Sequence, residues 1–220
     1  MISIDWKKFA QDYQQLITTE FSGLNLTALK TIEDIYQKQV IDSIEPFNQI
    51  PSLLNPINES RYIIDLGTGG GFPLLPLAKL FSKKFFVGID ARNKKLIAVK
   101  SIADNLGLEN VNVIHATFSE IKFDMPRLVF LIKAVGKISD ILNSLTLEYS
   151  SDFYFYKGAN FYQLEVEELN KLKNNYHLVN IHEIHIEGLE KRYLVHLRYE
   201  DNVPRGTLSV KKQRMFSSLI

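Results

Sequence analysis

Ile63–Phe72 reads IIDLGTGGGF, and the fold turns on this run. Tyr62, Ile63 and Ile64 form a short apolar strand that stops at Asp65, and Gly67, Gly69 and Gly71 follow on alternate positions. The amphipathic stretch from Leu74 to Phe81 predicts a helix. A strand, a Gly-rich turn and a helix N-terminus together cradle a polar, nucleotide-like ligand, because missing side chains let the backbone approach it. A dinucleotide fingerprint places its third glycine three residues after the second. Here Phe72 holds that slot, which disfavours a hydride-transfer enzyme.

Downstream of Arg61, strands and helices alternate, which predicts an α/β fold of Rossmann-like type with a mainly parallel sheet. Strands are expected at Tyr62–Leu66, Phe85–Ile89, Val111–Ile114, Leu128–Ile132 and Phe153–Tyr156. Helices are expected over Asn93–Leu106, Ile138–Leu147 and Tyr162–Leu172. Two last strands, near 177–186 and 192–199, read as an antiparallel hairpin about Gly188. Upstream, Ile4, Trp6, Phe9, Tyr13, Leu16 and Ile17 have helical spacing, and Thr31 caps a second helix with Ile35, Val40 and Ile44 on its buried stripe. Residues 46–58, with Pro46, Pro51 and Pro56, read as a linking loop. The expected organisation is a helical cap over 1–58, the α/β domain over 59–202 and a basic tail over 203–220.

Composition narrows the function classes. The hydrophobic fraction of 45% supplies a large core, and the net charge of +1 means that any nucleic-acid contact must come from a local basic patch. Cysteine is absent, so disulfides and thiolate metal sites are excluded. His182 and His185, three apart on a strand, point to opposite faces, and no metal site is expected. No apolar run approaches the roughly 20 residues of a membrane span, and the N-terminus lacks a signal-peptide core. A cytoplasmic, monomeric protein with no membrane contact is the expectation.

Ligands of open parallel sheets sit beyond the carboxyl ends of the strands. Asp90, which ends the second strand, is placed to accept hydrogen bonds from both hydroxyls of a ribose, or to act as a helix-capping acid. Phe118 and Ser119 follow the third strand, where an adenine ring would pack; a core aromatic and a turn serine is the alternative. Lys133 follows the apolar run LVFLI and Lys157 ends the fifth strand. Either lysine can meet a cofactor carboxylate, an RNA phosphate or a target base, or snorkel at a strand end.

The pattern D-x-G-x-G-x-G from Asp65 to Gly71 resembles motif I of class I S-adenosylmethionine (SAM) methyltransferases. Further elements narrow the resemblance. Leu24–Ala28 (LNLTA) is similar to an "NLTA" element, Val40–Ile44 (VIDSI) to "hLDSI", and Asp65–Pro76 (DLGTGGGFPLLP) to "DVGSGxGFPGIP". Asp90–Lys95 (DARNKK) is similar to "DSxxKR", Lys133–Val135 (KAV) to "RAV", Tyr156–Gly158 (YKG) to "LKG", and Lys191–Leu197 (KRYLVHL) to "ERHLVVI". In this order and spacing the chain resembles the bacterial 16S rRNA guanine-N7 methyltransferases known as RsmG or GidB. The resemblance implies methyl transfer from SAM to N7 of guanine 527 of 16S rRNA, leaving S-adenosylhomocysteine. The expected substrate is that rRNA within the 30S subunit or an assembly intermediate.

The residues and the resemblance together give a cofactor site of Asp65, Gly67, Gly69, Gly71, Phe72, Asp90, Phe118, Ser119 and Lys133. Lys94, Lys95, Lys157, Lys211, Lys212 and Arg214 are candidates for RNA phosphates. N7 has an in-plane lone pair and no proton, so no general base is required, and Lys133 is assigned a positioning role. The chain departs from the family pattern at Gln39 (histidine in the family), at Thr117-Phe118-Ser119 (an Arg-Ala-Glu-like trio), at Lys133 (arginine) and at Leu74 (glycine). Two other classes of function are compatible with the sequence. One is a SAM-dependent methyltransferase of a small molecule or protein; the other is a non-catalytic RNA-binding protein on the same fold.

Overall fold

The computed structural model describes residues 4–169, 172, 175–201 and 213–220. Strands β1 (Tyr62–Leu66), β2 (Phe85–Asp90), β3 (Val111–His115), β5 (Leu128–Lys133), β7 (Ser151–Lys157), β8 (Tyr176–Ile184) and β9 (Arg192–Tyr199) form one seven-stranded sheet. Its order is β3-β2-β1-β5-β7-β9-β8, parallel from β3 to β7 and antiparallel through β9 and β8. β1, β2 and β5 are buried along most of their length, as a sheet covered on both faces requires, whereas the edge strand β3 is partly exposed. The chain runs outward from β1 to β3 and then returns to β5 on the other side of β1. The order therefore reverses between β1 and β5, and a crevice opens there at the carboxyl ends.

The helices flank this sheet. α1 (Trp6–Thr19) is capped by Asp5, whose side chain accepts from the Lys8 N–H. Thr31 caps α2 (Ile32–Ile35), which runs into a π-helical stretch, Tyr36–Ile41, and on into α3 (Asp42–Gln49). A 3₁₀ turn (Pro51–Leu53) and α4 (Leu54–Glu59) complete the N-terminal part. α5 (Leu74–Leu80) and α6 (Asn93–Asn105) follow β1 and β2, and α7 (Ile138–Ser144), α8 (Phe161–Leu164) and α9 (Val166–Leu169) lie in the C-terminal half. Phe9, Tyr13, Ile44, Phe47 and Leu53 share one continuous core with Ile63, Leu75, Phe86 and Tyr154, so the N-terminal helices pack directly on the sheet.

Three local expectations are corrected. Residues 46–58 are mostly helical, not a loop. Pro51 opens the 3₁₀ turn and Pro56 lies in the first turn of α4, where no N–H partner is needed, while Pro46 lies inside α3, five residues past the end of the π-helical stretch. The helix from Ile138 stops at Ser144, because Thr146–Leu147 forms strand β6 beside β4 (Ile121–Phe123). The helix expected over Tyr162–Leu172 is broken between α8 and α9 at Glu165, and residues 170, 171, 173 and 174 lie outside the described residues. β10 (Arg214–Met215) completes a three-stranded second sheet, β10-β4-β6, and Phe216 behind it is fully buried.

Candidate cofactor and substrate site

The Gly-rich loop is built from the inside outward. Asp65 is 1% exposed, and its carboxylate accepts from the Thr68 hydroxyl at 3.1 Å and from the Leu74 N–H. Burial pushes its pKa up to about 7 against the lowering effect of these hydrogen bonds. Asp65 therefore lies beneath the loop, where it shapes the turn. The N–H groups of Gly67 and Thr68 are held by the Ile89 carbonyl of β2. Gly69 has φ +57, and a Cβ placed on it would meet only the Gly67 carbonyl at 3.6 Å, so this turn leaves room above it for a ligand. The Gly69 N–H donates to Asp90 Oδ2 at 2.9 Å, which joins the loop to the acid ending β2.

Gly70 serves a different purpose. A Cβ there would come 2.4 Å from the Leu26 carbonyl oxygen, within the LNLTA segment. The Gly70 carbonyl accepts from the buried Tyr13 hydroxyl at 2.7 Å, and the Tyr13 ring packs edge-on against Phe72 with centroids 4.7 Å apart. Phe72 is 7% exposed, so it anchors the loop to α1 and presents little surface to a ligand. The role of Gly70 has no local signature in the sequence, because it depends on the close approach of a segment some 40 residues upstream.

Asp90 is 4% exposed. Burial raises its pKa, but the Arg92 side chain, the Arg92 N–H and the Gly69 N–H outweigh that effect and hold the carboxyl below the ordinary range. Past β3, Phe118 and Ser119 stand in a 3₁₀ turn; Phe118 is half-buried against the core, Ser119 is exposed, and its carbonyl accepts from Gln213. Lys94 is exposed and Lys95 half-buried on the first turn of α6. The exposed Arg214 donates to the His115 carbonyl at the end of β3. Lys211 and Lys212 lie outside the described residues.

On the other side of the crevice the lysines are held in ion pairs. Lys133 Nζ reaches Asp42 Oδ2 at 2.6 Å, Gln39 Oε1 at 3.0 Å and the Lys38 carbonyl at 3.3 Å. A lysine has three N–H donors, and all three are directed at the π-helical stretch and the start of α3. Gln39 and Lys133, two of the departures from the family pattern, are thus in direct contact. Asp42, 6% exposed, also accepts from Arg192 Nε at 3.1 Å. Lys157 is held in the same way: Nζ lies 2.8 Å from each oxygen of Glu165 and 3.0 Å from the Gly136 carbonyl. Between the two lysines Ala134 takes φ +56, an unusual value for a residue with a Cβ, and Val135 closes over Gly67. A cavity of about 510 Å³ lies here, lined in part by Asp42, Lys133, Tyr156, Lys157, Arg192 and Tyr193.

Comparison with known proteins places this geometry. Residues 7–195 match the family described as rRNA small subunit methyltransferase G (GidB). The chain belongs to that family. A relative from Clostridium beijerinckii, "Ribosomal RNA small subunit methyltransferase G", is 30% identical over 210 residues, covering 91% of this chain and 85% of its own. One of the same name from Hydrogenovibrio crunogenus is 27% identical over 190 residues, covering 84% and 81%. Among solved structures, the magnesium protoporphyrin IX methyltransferase of Synechocystis PCC 6803, a crystal structure with bound SAM, superposes with TM-score 0.57 at 12% identity, covering 91% of this chain and all of that one. That likeness shows the fold, the Rossmann-like architecture of class I methyltransferases. With the family comes the enzyme class: a SAM-dependent methyltransferase of ribosomal RNA. Among the described residues no helix is long and apolar enough to cross a membrane.

Proposed function

We propose that this protein methylates N7 of guanine 527 in 16S rRNA, with SAM as donor and the 30S subunit or an assembly intermediate as substrate. The observation that carries the reading is the family match over residues 7–195, with the Gly-rich loop joined to Asp90 inside it. The residues present fit the cofactor. Gly69 leaves open space over the loop, Asp90 offers a carboxylate at the height of a ribose, and Phe118 and Ser119 stand past β3 for an adenine. SAM supplies an electrophilic methyl on a sulfonium.

The chain's own residues then bind, orient and exclude water. N7 has no proton to remove, so positioning is what the site must contribute. The cavity beside Ala134 and Tyr193 is the place for the target guanine, and Lys133 acts as a positioning residue by fixing the loop from Ala134 to Gly136 against the N-terminal helices. Lys94, Lys95 and Arg214 are assigned to phosphates at the opposite rim. The test is to incubate the protein with labelled SAM and 30S subunits from cells lacking N7 methylation, then map the label. One modified nucleotide at guanine 527 is expected; label elsewhere in the rRNA, or none, rejects the assignment.

A further inference from the structure

The side chain of Arg92 lies across the acid that the cofactor needs. Asp90 Oδ1 accepts from the Arg92 N–H at 2.8 Å and from Arg92 Nε at 3.1 Å. Asp90 Oδ2 accepts from the Gly69 N–H at 2.9 Å and from Arg92 Nη2 at 3.2 Å. An ionised carboxylate has about four lone-pair sites, so these four donors fill it. Two of them are backbone groups fixed by the loop and by the start of α6. The other two are a guanidinium fork that takes one site on each oxygen. A vicinal diol places two hydroxyl donors side by side in much the same way, so fork and diol compete for the same positions.

The burial of the two partners is unequal. The Asp90 side chain is 4% exposed, whereas that of Arg92 is 61% exposed. The guanidinium therefore lies on the solvent side of the carboxylate and can leave without disturbing the core. We propose that Arg92 is a displaceable latch on Asp90, which occupies the ribose-diol position and sets the affinity for cofactor by competing with it. The latch rests on the reading that Asp90 receives the ribose, and the test separates the two ideas.

S-adenosylhomocysteine and its 2′,3′-dideoxy analogue are titrated calorimetrically into the wild-type protein, Arg92→Ala, Arg92→Lys and Asp90→Ala. Arg92→Ala is expected to bind S-adenosylhomocysteine about two- to fivefold more tightly, the range that an exposed ion pair supports. It leaves the affinity for the analogue unchanged. Arg92→Lys, which keeps the charge and loses the fork, gains less. Unchanged or weaker binding of S-adenosylhomocysteine by Arg92→Ala overturns the latch. Asp90→Ala is expected to weaken S-adenosylhomocysteine at least tenfold. If Arg92→Ala, with the fork removed, also binds both ligands equally, Asp90 does not hold the ribose and the latch falls with that reading.

Discussion

Lys157 at the end of β7 and Arg92 just past the end of β2 both stand where a strand meets the ligand side of the sheet, but they are held in opposite ways. Lys157 is 10% exposed, and its three donors are all taken by Glu165 and a carbonyl; Lys133, 14% exposed, is held likewise by the N-terminal helices. Arg92, Lys94 and Arg214 stay exposed. One rim of the crevice is a set of locked ion pairs, and the other is a set of cations that an anion can reach. A charge after a strand therefore has two meanings, and the partner contributed by a distant segment decides between them. Lys133 finds Asp42 some 90 residues upstream, whereas among the described residues Arg92 finds its near neighbour Asp90 alone.

The largest test of this contrast is at Asp42. The acid is buried between Lys133 and Arg192, so Asp42→Ala leaves two cations without their shared partner. Breaking a buried pair from one side costs about 4 kcal/mol. Urea unfolding of the variant should show a loss of that order with an unchanged m-value. A loss under 1 kcal/mol means that the rim is not locked.

Asp65 lies between the two rims, attracted by Lys133 on one side and repelled by Asp90 on the other. Its folded-state pKa of about 7 lies above the ordinary carboxyl value. Below pH 4 both folded and unfolded chains hold the proton, and the group contributes no pH dependence. Between about pH 4 and 7 the unfolded chain releases its proton while the folded one keeps it, so stability falls as pH rises; above 7 the penalty is complete and constant. Asp65→Asn should remove this slope, worth roughly 4 kcal/mol over that window. Parallel slopes for variant and wild type, measured by denaturation from pH 4 to 8, would show that Asp65 is ionised throughout.

The parallel strands, the hairpin about Gly188 and the Gly-rich turn were legible because their causes are local: β-branched and aromatic runs, a glycine at positive φ, an acid at a strand end. What could not be read depends on tertiary contact. Pro46 and Pro56 signal a loop in isolation, yet the Tyr154 and Tyr156 hydroxyls of β7 bond the Leu53 and Ser43 carbonyls and hold that region against the sheet. The short strands of the second sheet rest on residues far apart in sequence, Ile121 beside Arg214 and Phe123 beside Leu147. At the site, the presence of Lys133 after a strand was visible, but its three acceptors were not.

The smallest effect separates the two rims directly. An exposed lysine on a phosphate releases a counterion when RNA binds, so its removal lowers the salt slope of binding by about one. Lys94→Ala should weaken binding of ribosomal RNA a few-fold and reduce that slope. Lys157→Ala should leave the slope unchanged, since its ammonium is already neutralised by Glu165, and should instead lower stability. Binding isotherms between 50 and 200 mM salt, a range over which phosphate contacts are readily resolved, distinguish the cases. Equal slopes for Lys94→Ala and the wild type would take RNA off the open rim. A reduced slope for Lys157→Ala would show that its ion pair opens to RNA, and the division into locked and reachable cations would no longer hold.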